Sequence, residues 1–281
     1  MVGRTLDVLA EGFAFPEGPR WHDGNLWISD MYGSVVVRIS LLGAYETIVE
    51  VPQHPSGLGW LPDGRLLVVS MEDRKLLRLE PEGLVEHAEL SAVATFHCND
   101  MVVDRFGRAY VGNFGGELQR GQPVAPGRLA LVYPDGRVIA AADDLRFANG
   151  MAISPDGGTL FVGESLSEPP RLTAFDIGPE GELTNRRTVA EFGAEAPDGI
   201  CLDAEGAIWI ASPPTKEAAR VAQGRIVERI STGGHACYAV ALGGAKGDTL
   251  FLCTSGTSVP EIARRRRTGR VSAVQVDVPA A

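Results

Sequence analysis

The sequence predicts an all-β fold, a six-bladed β-propeller, and three observations predict it. One motif returns six times: a small or polar residue opens a short apolar strand, a turn rich in Asp and Gly follows, and a second strand ends in Ser, Asn or a carboxylate. The openings at Glu17, Ser56, Asn99, Asn149, Asp198 and Cys237 lie 39, 43, 50, 49 and 39 residues apart, near the roughly 40 to 50 residues of one four-stranded blade. Six such units use nearly all of the 281 residues, so residues 1–281 are expected to form one domain closed as a ring.

The first three repeats read EGPRWHDGNLWISD from Glu17, SGLGWLPDGRLLVVS from Ser56 and NDMVVDRFGRAYVGN from Asn99. NGMAISPDGGTLFVGES from Asn149, DGICLDAEGAIWIAS from Asp198 and the weaker CYAVALGGAKGDTLFLCTS from Cys237 complete the set. The turns His22-Asp23-Gly24, Pro62-Asp63-Gly64, Pro155-Asp156-Gly157-Gly158 and Ala204-Glu205-Gly206 are hairpin chemistry, with Gly supplying positive φ, so their Asp residues are read as structural. They lack the alternating oxygen donors of an EF-hand loop. An open ring exposes strand edges, so the segment Arg4 to Glu11 is expected to pair with the last blade near Arg270 to Val278. Longer connections, GGELQRGQPVAPG after Asn113 and SLSEPP after Glu164, are expected to overhang the face where the openings meet.

Composition narrows the function. With 26 basic against 36 acidic residues the net charge is −10, a poor match for nucleic acid and a better one for a cation. The basic block Arg264 to Arg267 is read as a solvated loop between the last two strands, with no function. Cys98, Cys201, Cys237 and Cys253 show no CxxC spacing, and three lie in apolar stretches, which suits reduced thiols in a cytoplasmic protein. The N-terminal MVGRTLDVLAEGFAF has no continuous signal segment, and no run approaches the roughly 18 to 20 apolar residues that span a bilayer. No membrane partner is expected. Oligomeric state is not legible.

In a propeller the first strand of each blade lines the axis, so the six opening residues converge on one face. Glu17 and Asp198 bring carboxylates there, and Asn99 and Asn149 bring amide oxygens. Two carboxylates that would repel each other without a cation, joined by neutral oxygen donors, point to a divalent ion. Oxygen-only ligation places calcium first, ahead of magnesium or manganese, with zinc or iron less suited.

The segments FPEGPRW, FANGMAISPDGGTLFVGES and APDGICLDAEGAIWIAS resemble the signatures of the gluconolactonase, senescence marker protein and regucalcin family, and the similarity of pattern spans nearly the whole chain. That resemblance implies a six-bladed propeller that hydrolyses lactones with one divalent metal held by Glu17, Asn149 and Asp198. It also implies substrate contacts from an RxND motif and from a Glu in the following loop. Here the motif reads His97-Cys98-Asn99-Asp100, retaining Asn99 and Asp100 but carrying His97 in place of Arg; Glu117 aligns with the loop Glu. A neutral His donates one hydrogen bond where Arg donates a fixed fork, which turns the expectation away from sugar lactones.

No GxSxG elbow, P-loop or dinucleotide fingerprint is present. Water attack on a lactone or ester assisted by a metal is the expected chemistry, with Asp198 as the proton-transfer group and Asp100, Glu117 or His97 as alternatives. Two rivals stay open: an enzyme on the same scaffold acting on a non-sugar substrate, and a non-catalytic propeller that binds calcium or a partner. His54 and His235 precede strand openings and are read as incidental, and His22 and His87 as without a role.

Overall fold

The computed structural model describes residues 4, 6–117 and 125–281. Much of the long connection after Asn113 therefore lies outside the described residues. Strands fall into six four-stranded antiparallel sheets. The first blade runs β2 (Pro16–His22), β3 (Asn25–Asp30), β4 (Val35–Ile39), β5 (Tyr45–Glu50), and the second β6 (Pro55–Trp60), β7 (Leu66–Ser70), β8 (Lys75–Glu80), β9 (Gly83–Glu89). The third holds β10 (Cys98–Val103), β11 (Ala109–Asn113), β12 (Gly127–Val132), β13 (Val138–Leu145). The fourth holds β14 (Ala148–Ile153), β15 (Thr159–Glu164), β16 (Arg171–Ile177), β17 (Leu183–Glu191), and the fifth β18 (Ile200–Leu202), β19 (Ile208–Ser212), β20 (Glu217–Ala222), β21 (Arg225–Ser231). The sixth joins β22 (Ala236–Gly243), β23 (Thr249–Ser255) and β24 (Gly269–Gln275) to the N-terminal β1 (Asp7–Phe13).

Each innermost strand touches those of both neighbouring blades, from β2 through β6, β10, β14, β18 and β22 back to β2, so the propeller closes. The closing strand β1 pairs with β24, Asp7 opposite Ala273 and Phe13 opposite Gly269. This covers an edge that would otherwise leave its N–H and C=O groups unpaired. All six second strands end at the residues the repeat singled out: Asp30, Ser70, Asn113, Glu164, Ser212 and Ser255.

Burial explains the residue choice. Strands β7, β11, β19 and β23 are buried along their whole length because neighbouring sheets cover both faces, and they read as apolar runs. The outermost β5 is largely exposed and charged. Between blades the apolar faces merge, as where Leu67, Val69 and Leu76 of the second blade meet Met101, Val111 and Val132 of the third. In the turns, the carboxylates of Asp63, Asp104, Asp135, Asp156 and Asp203 each accept the N–H two residues on, the structural role expected of the turn Asp residues. His22 stacks on Trp60 with ring centroids 3.9 Å apart, a packing role.

The basic block is solvated and lies between the last two strands as expected, with Arg264 to Arg267 all exposed, but residues 264–266 end a short helix, α1 (Pro260–Arg266), in place of a loop. Pro260 sits in its first turn, where a missing N–H costs nothing. Buried Ala263 seats the helix, and Arg267 donates to Gly12 O at 2.6 Å and pairs with Asp30 at 3.2 Å. Among the described residues no helix is long and apolar enough to cross a membrane.

Five innermost strands carry one extra residue relative to their partners, between Glu17 and Arg20, Pro55 and Leu58, Cys98 and Met101, Ala148 and Met151, and Cys237 and Ala239. Such a bulge bends the strand and re-aims a side chain. A glycine follows the opening residue in four repeats, and sterics require it. A Cβ on Gly57 would stand 2.3 Å from Met101 N, one on Gly150 2.4 Å from Asp198 O, and one on Gly199 2.5 Å from Ala239 Cβ. Gly150→Ala is therefore expected to destabilise the fold by about 1–3 kcal/mol and to displace Asp198. Chemical denaturation checks this; unchanged stability would mean that the blades do not approach so closely.

Candidate functional site

Bulges accompany Glu17, Ser56, Asn99, Asn149 and Cys237, and Asp198 precedes an unbulged β18, its N–H bonded to Ala211 O at 2.9 Å; all six lie around the axis, as the repeat predicts. A one-way hydrogen-bond chain links four of the polar residues near it. Ser56 Oγ donates to Asn99 Oδ1 at 3.3 Å, Asn99 Nδ2 to Asn149 Oδ1 at 2.9 Å, and Asn149 Nδ2 to Ser165 Oγ at 3.1 Å. Ser165 Oγ in turn donates to Pro197 O at 2.7 Å. Because that bond uses the Ser165 proton, its oxygen can only accept from Asn149, which fixes which end of the Asn149 amide is nitrogen. The Asn149 oxygen takes one bond from Asn99 and keeps a second lone pair.

Glu17 and Asp198 face this chain. Each keeps a water-accessible edge while protein packs its remaining sides. Burial pushes the Glu17 carboxyl up to about 8; the Gly18 N–H opposes the shift, Asp100 adds repulsion, and Arg20 opposes it. Asp198 is also held well above the ordinary carboxylate range, first by burial and then by the negative charge of Glu17, with Asn149 opposing. Burial, and at Asp198 a neighbouring negative charge, both disfavour the ionised carboxylate. Cys237 stays a thiol, its ionisation suppressed by burial and by both carboxylates.

Asp100 occupies the position that is glycine in four other repeats, so this side chain alone with Tyr238 enters the crowded space there. Arg20 Nη2 binds its Oδ1 at 2.7 Å and Met101 O at 2.5 Å, and the Met101 N–H donates to Asp100 at 2.8 Å. Arg20, which the sequence reading missed, balances one of three axial carboxylates. A visible signal existed: the opening-residue-plus-Gly pair is broken only at Asn99-Asp100 and Cys237-Tyr238.

To one side lies a cavity of about 260 Å³ whose walls include Tyr32, His54, Phe96, His97, Phe114 and Glu117. It brings His97 and Glu117 together, while Asn99 and Asp100 lie at the axis. His97 stacks on Phe96 at 4.1 Å, and burial keeps its imidazole below the usual range, hence neutral at pH 7. Tyr32 links cavity and axis. Its ring lies 4.9 Å from Phe15, which also packs on Tyr238 at 4.5 Å, and burial with the Glu17 charge raises its phenol to about 12. His54, read as incidental, also lines this cavity.

Among the described residues no three His, Cys, Asp or Glu side chains gather as a metal cluster. The axial set instead pairs two carboxylates with amide oxygens.

The family model for the SMP-30/Gluconolactonase/LRE-like region matches residues 15–256. The chain belongs to this family. It is 36% identical over 215 residues to regucalcin of Gallus gallus, covering 73% of this chain and 70% of that protein. It is 27% identical over 205 residues to a lactonase of Staphylococcus saprophyticus, covering 67% of this chain and 60% of that one. Among solved structures, a calcium-binding regucalcin of Agrobacterium tumefaciens superposes with a TM-score of 0.83 at 21% identity, over 99% of this chain and 96% of that one. At that identity the superposition speaks for the fold.

For this member of the family the raised Glu17 carboxyl has a measurable consequence in protein freed of divalent ions. The folded state holds its proton up to about pH 8, whereas the unfolded chain releases it near 4.5. The folded protein therefore binds more protons in that window, and stability falls as pH rises through it. Denaturation in chelator at pH 5 and pH 8 should show this loss, and Glu17→Gln should flatten it and exceed wild type at pH 8. Equal pH dependence in both proteins would contradict the assignment.

Proposed function

We propose that this protein is a divalent-metal-dependent hydrolase that opens a lactone or related ester, with residues 1–281 acting as one domain. The observation that carries the reading is the axial pair Glu17 and Asp198, both resisting ionisation, beside an Asn149 amide that hydrogen-bonds Asp198 and whose oxygen accepts a single bond, from Asn99. That donor set fits a hard cation: the two negative charges would neutralise it, and three protein ligands leave positions open. Glu17, Asn149 and Asp198 would hold the ion, calcium first and magnesium, manganese, zinc or iron next, with Asn99 beside them. When bound, such an ion supplies polarisation of an acyl oxygen and stabilisation of the negative charge that grows there. Four free cysteines support a reducing, cytoplasmic setting.

The chain's own residues do the rest. Water adds to the acyl carbon, the bond from that carbon to the ring oxygen breaks, and the proton lost by water ends on the released alkoxide. Asp198 is the carboxylate proposed to carry that proton. Asp100 is held by Arg20 and the Met101 N–H, so its proposed part is to hold the axial charge balance near the substrate. Asn99 orients Asn149 through its amide N–H. His97 and Glu117 meet the substrate beyond the acyl group from the side cavity. The lactonase of Staphylococcus saprophyticus supports the reaction class, and the calcium-binding regucalcin supports the ion as well as a second reading, a propeller that only binds calcium.

A lactone panel with and without chelator separates the two. The hydrolase reading expects activity that chelation abolishes and one metal restores, whereas the binder expects background rates throughout. Ion at a hundredfold excess over its Kd should stabilise wild type by about 2.7 kcal/mol, and Glu17→Gln should lose that gain. Asp198→Asn should lower kcat by about a hundredfold or more. Full metal affinity in both variants would sink the ligand assignment.

His97 generates a specificity prediction. A neutral ring stacked on Phe96 offers a hydroxylated lactone one donor at most. Steady-state kinetics on a sugar lactone and a plain lactone of equal ring size should favour the plain one, and His97→Arg should narrow the gap. A wild-type preference for the sugar lactone that the variant leaves unchanged would overturn this.

A further inference from the structure

The side cavity has one wall that the mechanism above does not use. The helix α1, inserted between the last two strands of the ring, adds Pro260, Glu261 and Arg264 to it. The helix is not adrift: buried Ala263 seats it, and Arg267 clamps its end to Gly12 O and Asp30. Arg264 therefore has a defined position at the cavity edge.

Its partners show what it has left to give. Arg264 Nη2 lies 3.0 Å from His54 Nε2, and its guanidinium stands 5.8 Å from the centre of the Tyr32 ring. A guanidinium has no acceptor, so His54 Nε2 must offer its lone pair. The His54 proton then sits on Nδ1 and is donated to Ser34 Oγ at 3.0 Å. His54 is thus neutral: burial holds its basicity down, Glu72 at 3.7 Å from Nε2 opposes this, and Arg264 lowers it further. Among the described residues Arg264 forms no ion pair, and most of its five N–H groups remain for a ligand.

The charge around it decides the kind of ligand. Glu72, Glu117 and Glu261 line the same cavity and outnumber the single guanidinium, while His54 and His97 are both neutral at pH 7. An anionic group would meet net negative charge. Tyr32, Phe96 and Phe114 supply apolar faces, and the cavity of about 260 Å³ equals the liquid volume of roughly nine waters, enough for a small substituent.

We infer that Arg264 is a specificity-determining residue that hydrogen-bonds a neutral oxygen acceptor, a ketone or ether, on an otherwise apolar group carried by the substrate. This inference rests on the hydrolase reading for its substrate class and deepens it. The sequence gives no hint, because Arg264 reaches the cavity from the sixth blade while His97 and Glu117 come from the third.

The test uses the metal-loaded full chain and three lactones of one ring size, bearing acetyl, isopropyl or carboxylate at the same carbon. Wild type should favour acetyl over the isosteric isopropyl about tenfold or more in kcat/KM, as expected for one hydrogen bond to a charged donor, and should turn over the carboxylate form worst. Arg264→Met should erase the acetyl preference through KM, leaving kcat and the isopropyl substrate within about twofold. Arg264→Lys should restore part of it. A purely structural role would harm acetyl and isopropyl substrates equally, and that result would overturn the inference, as would preference for the carboxylate form. Calorimetric titration with the corresponding lactams, which are not opened, reads the same preferences without turnover. If no lactone is hydrolysed, the hydrolase reading fails and the lactam titration alone decides the role of Arg264.

Discussion

The close approach of the innermost strands is the constraint on which the site depends. Gly150 donates its N–H to Asp198 O at 3.1 Å and Gly199 to Tyr238 O at 2.8 Å, so adjacent blades are stitched by backbone bonds at the axis. No Cβ fits at Gly57, Gly150 or Gly199. At Gly57 and Gly150 a bulge accompanies the glycine and turns the preceding side chain toward the centre. Six repeats that would each be harmless alone thereby pile polar side chains into one small space. Convergence of Glu17 with Asp198, 181 residues apart in sequence, follows from packing and needs no further device.

That convergence has an electrostatic cost which the rest of the site answers. Burial raises the reluctance of Glu17, Asp100 and Asp198 to ionise; Asp100 adds to it at Glu17, and Glu17 and Asp100 add to it at Asp198. Arg20 answers chiefly at Asp100, through an ion pair of 2.7 Å, and more weakly at Glu17 through its charge. The remaining pair is left facing neutral amides, and those amides are not free to turn because the chain from Ser56 to Pro197 runs in one direction. Ionising both carboxylates therefore costs the folded state, so its stability depends on their protonation.

The ring, its closure and the axial residues were legible because each rests on a periodic or steric rule. Repeats at 39 to 50 residues announce blades, and an opening donor in each announces an axis. The side cavity was not legible. His54 follows Val51 in a turn, with φ of 66°, and nothing in its neighbourhood distinguishes it from any loop histidine until Ser34 and Arg264 close on it. Arg20 hides in a strand whose alternation suggests a surface residue, and its partner Asp100 is 80 residues away. Contacts between blades obey geometry that a single chain pattern does not carry. The basic block is exposed, as its charge density suggests, but its helix was not legible, because Pro260 and Ala263, outside the block, are what start and seat it.

The positions where this chain breaks its own repeat are the ones with chemistry attached. Glycine gives way to Asp100 and Tyr238 at the axis, and the third and sixth blades carry the connections that wall the cavity, with Glu117 after β11 and α1 after β23. A regular blade needs neither departure for stability, since the second and fifth blades have fully buried second strands and turn carboxylates without them. Symmetric parts of the ring hold the axis in place, and the asymmetric parts decide what reaches it. Specificity in this fold can therefore change by altering two insertions, leaving the carboxylates Glu17 and Asp198 where the packing puts them.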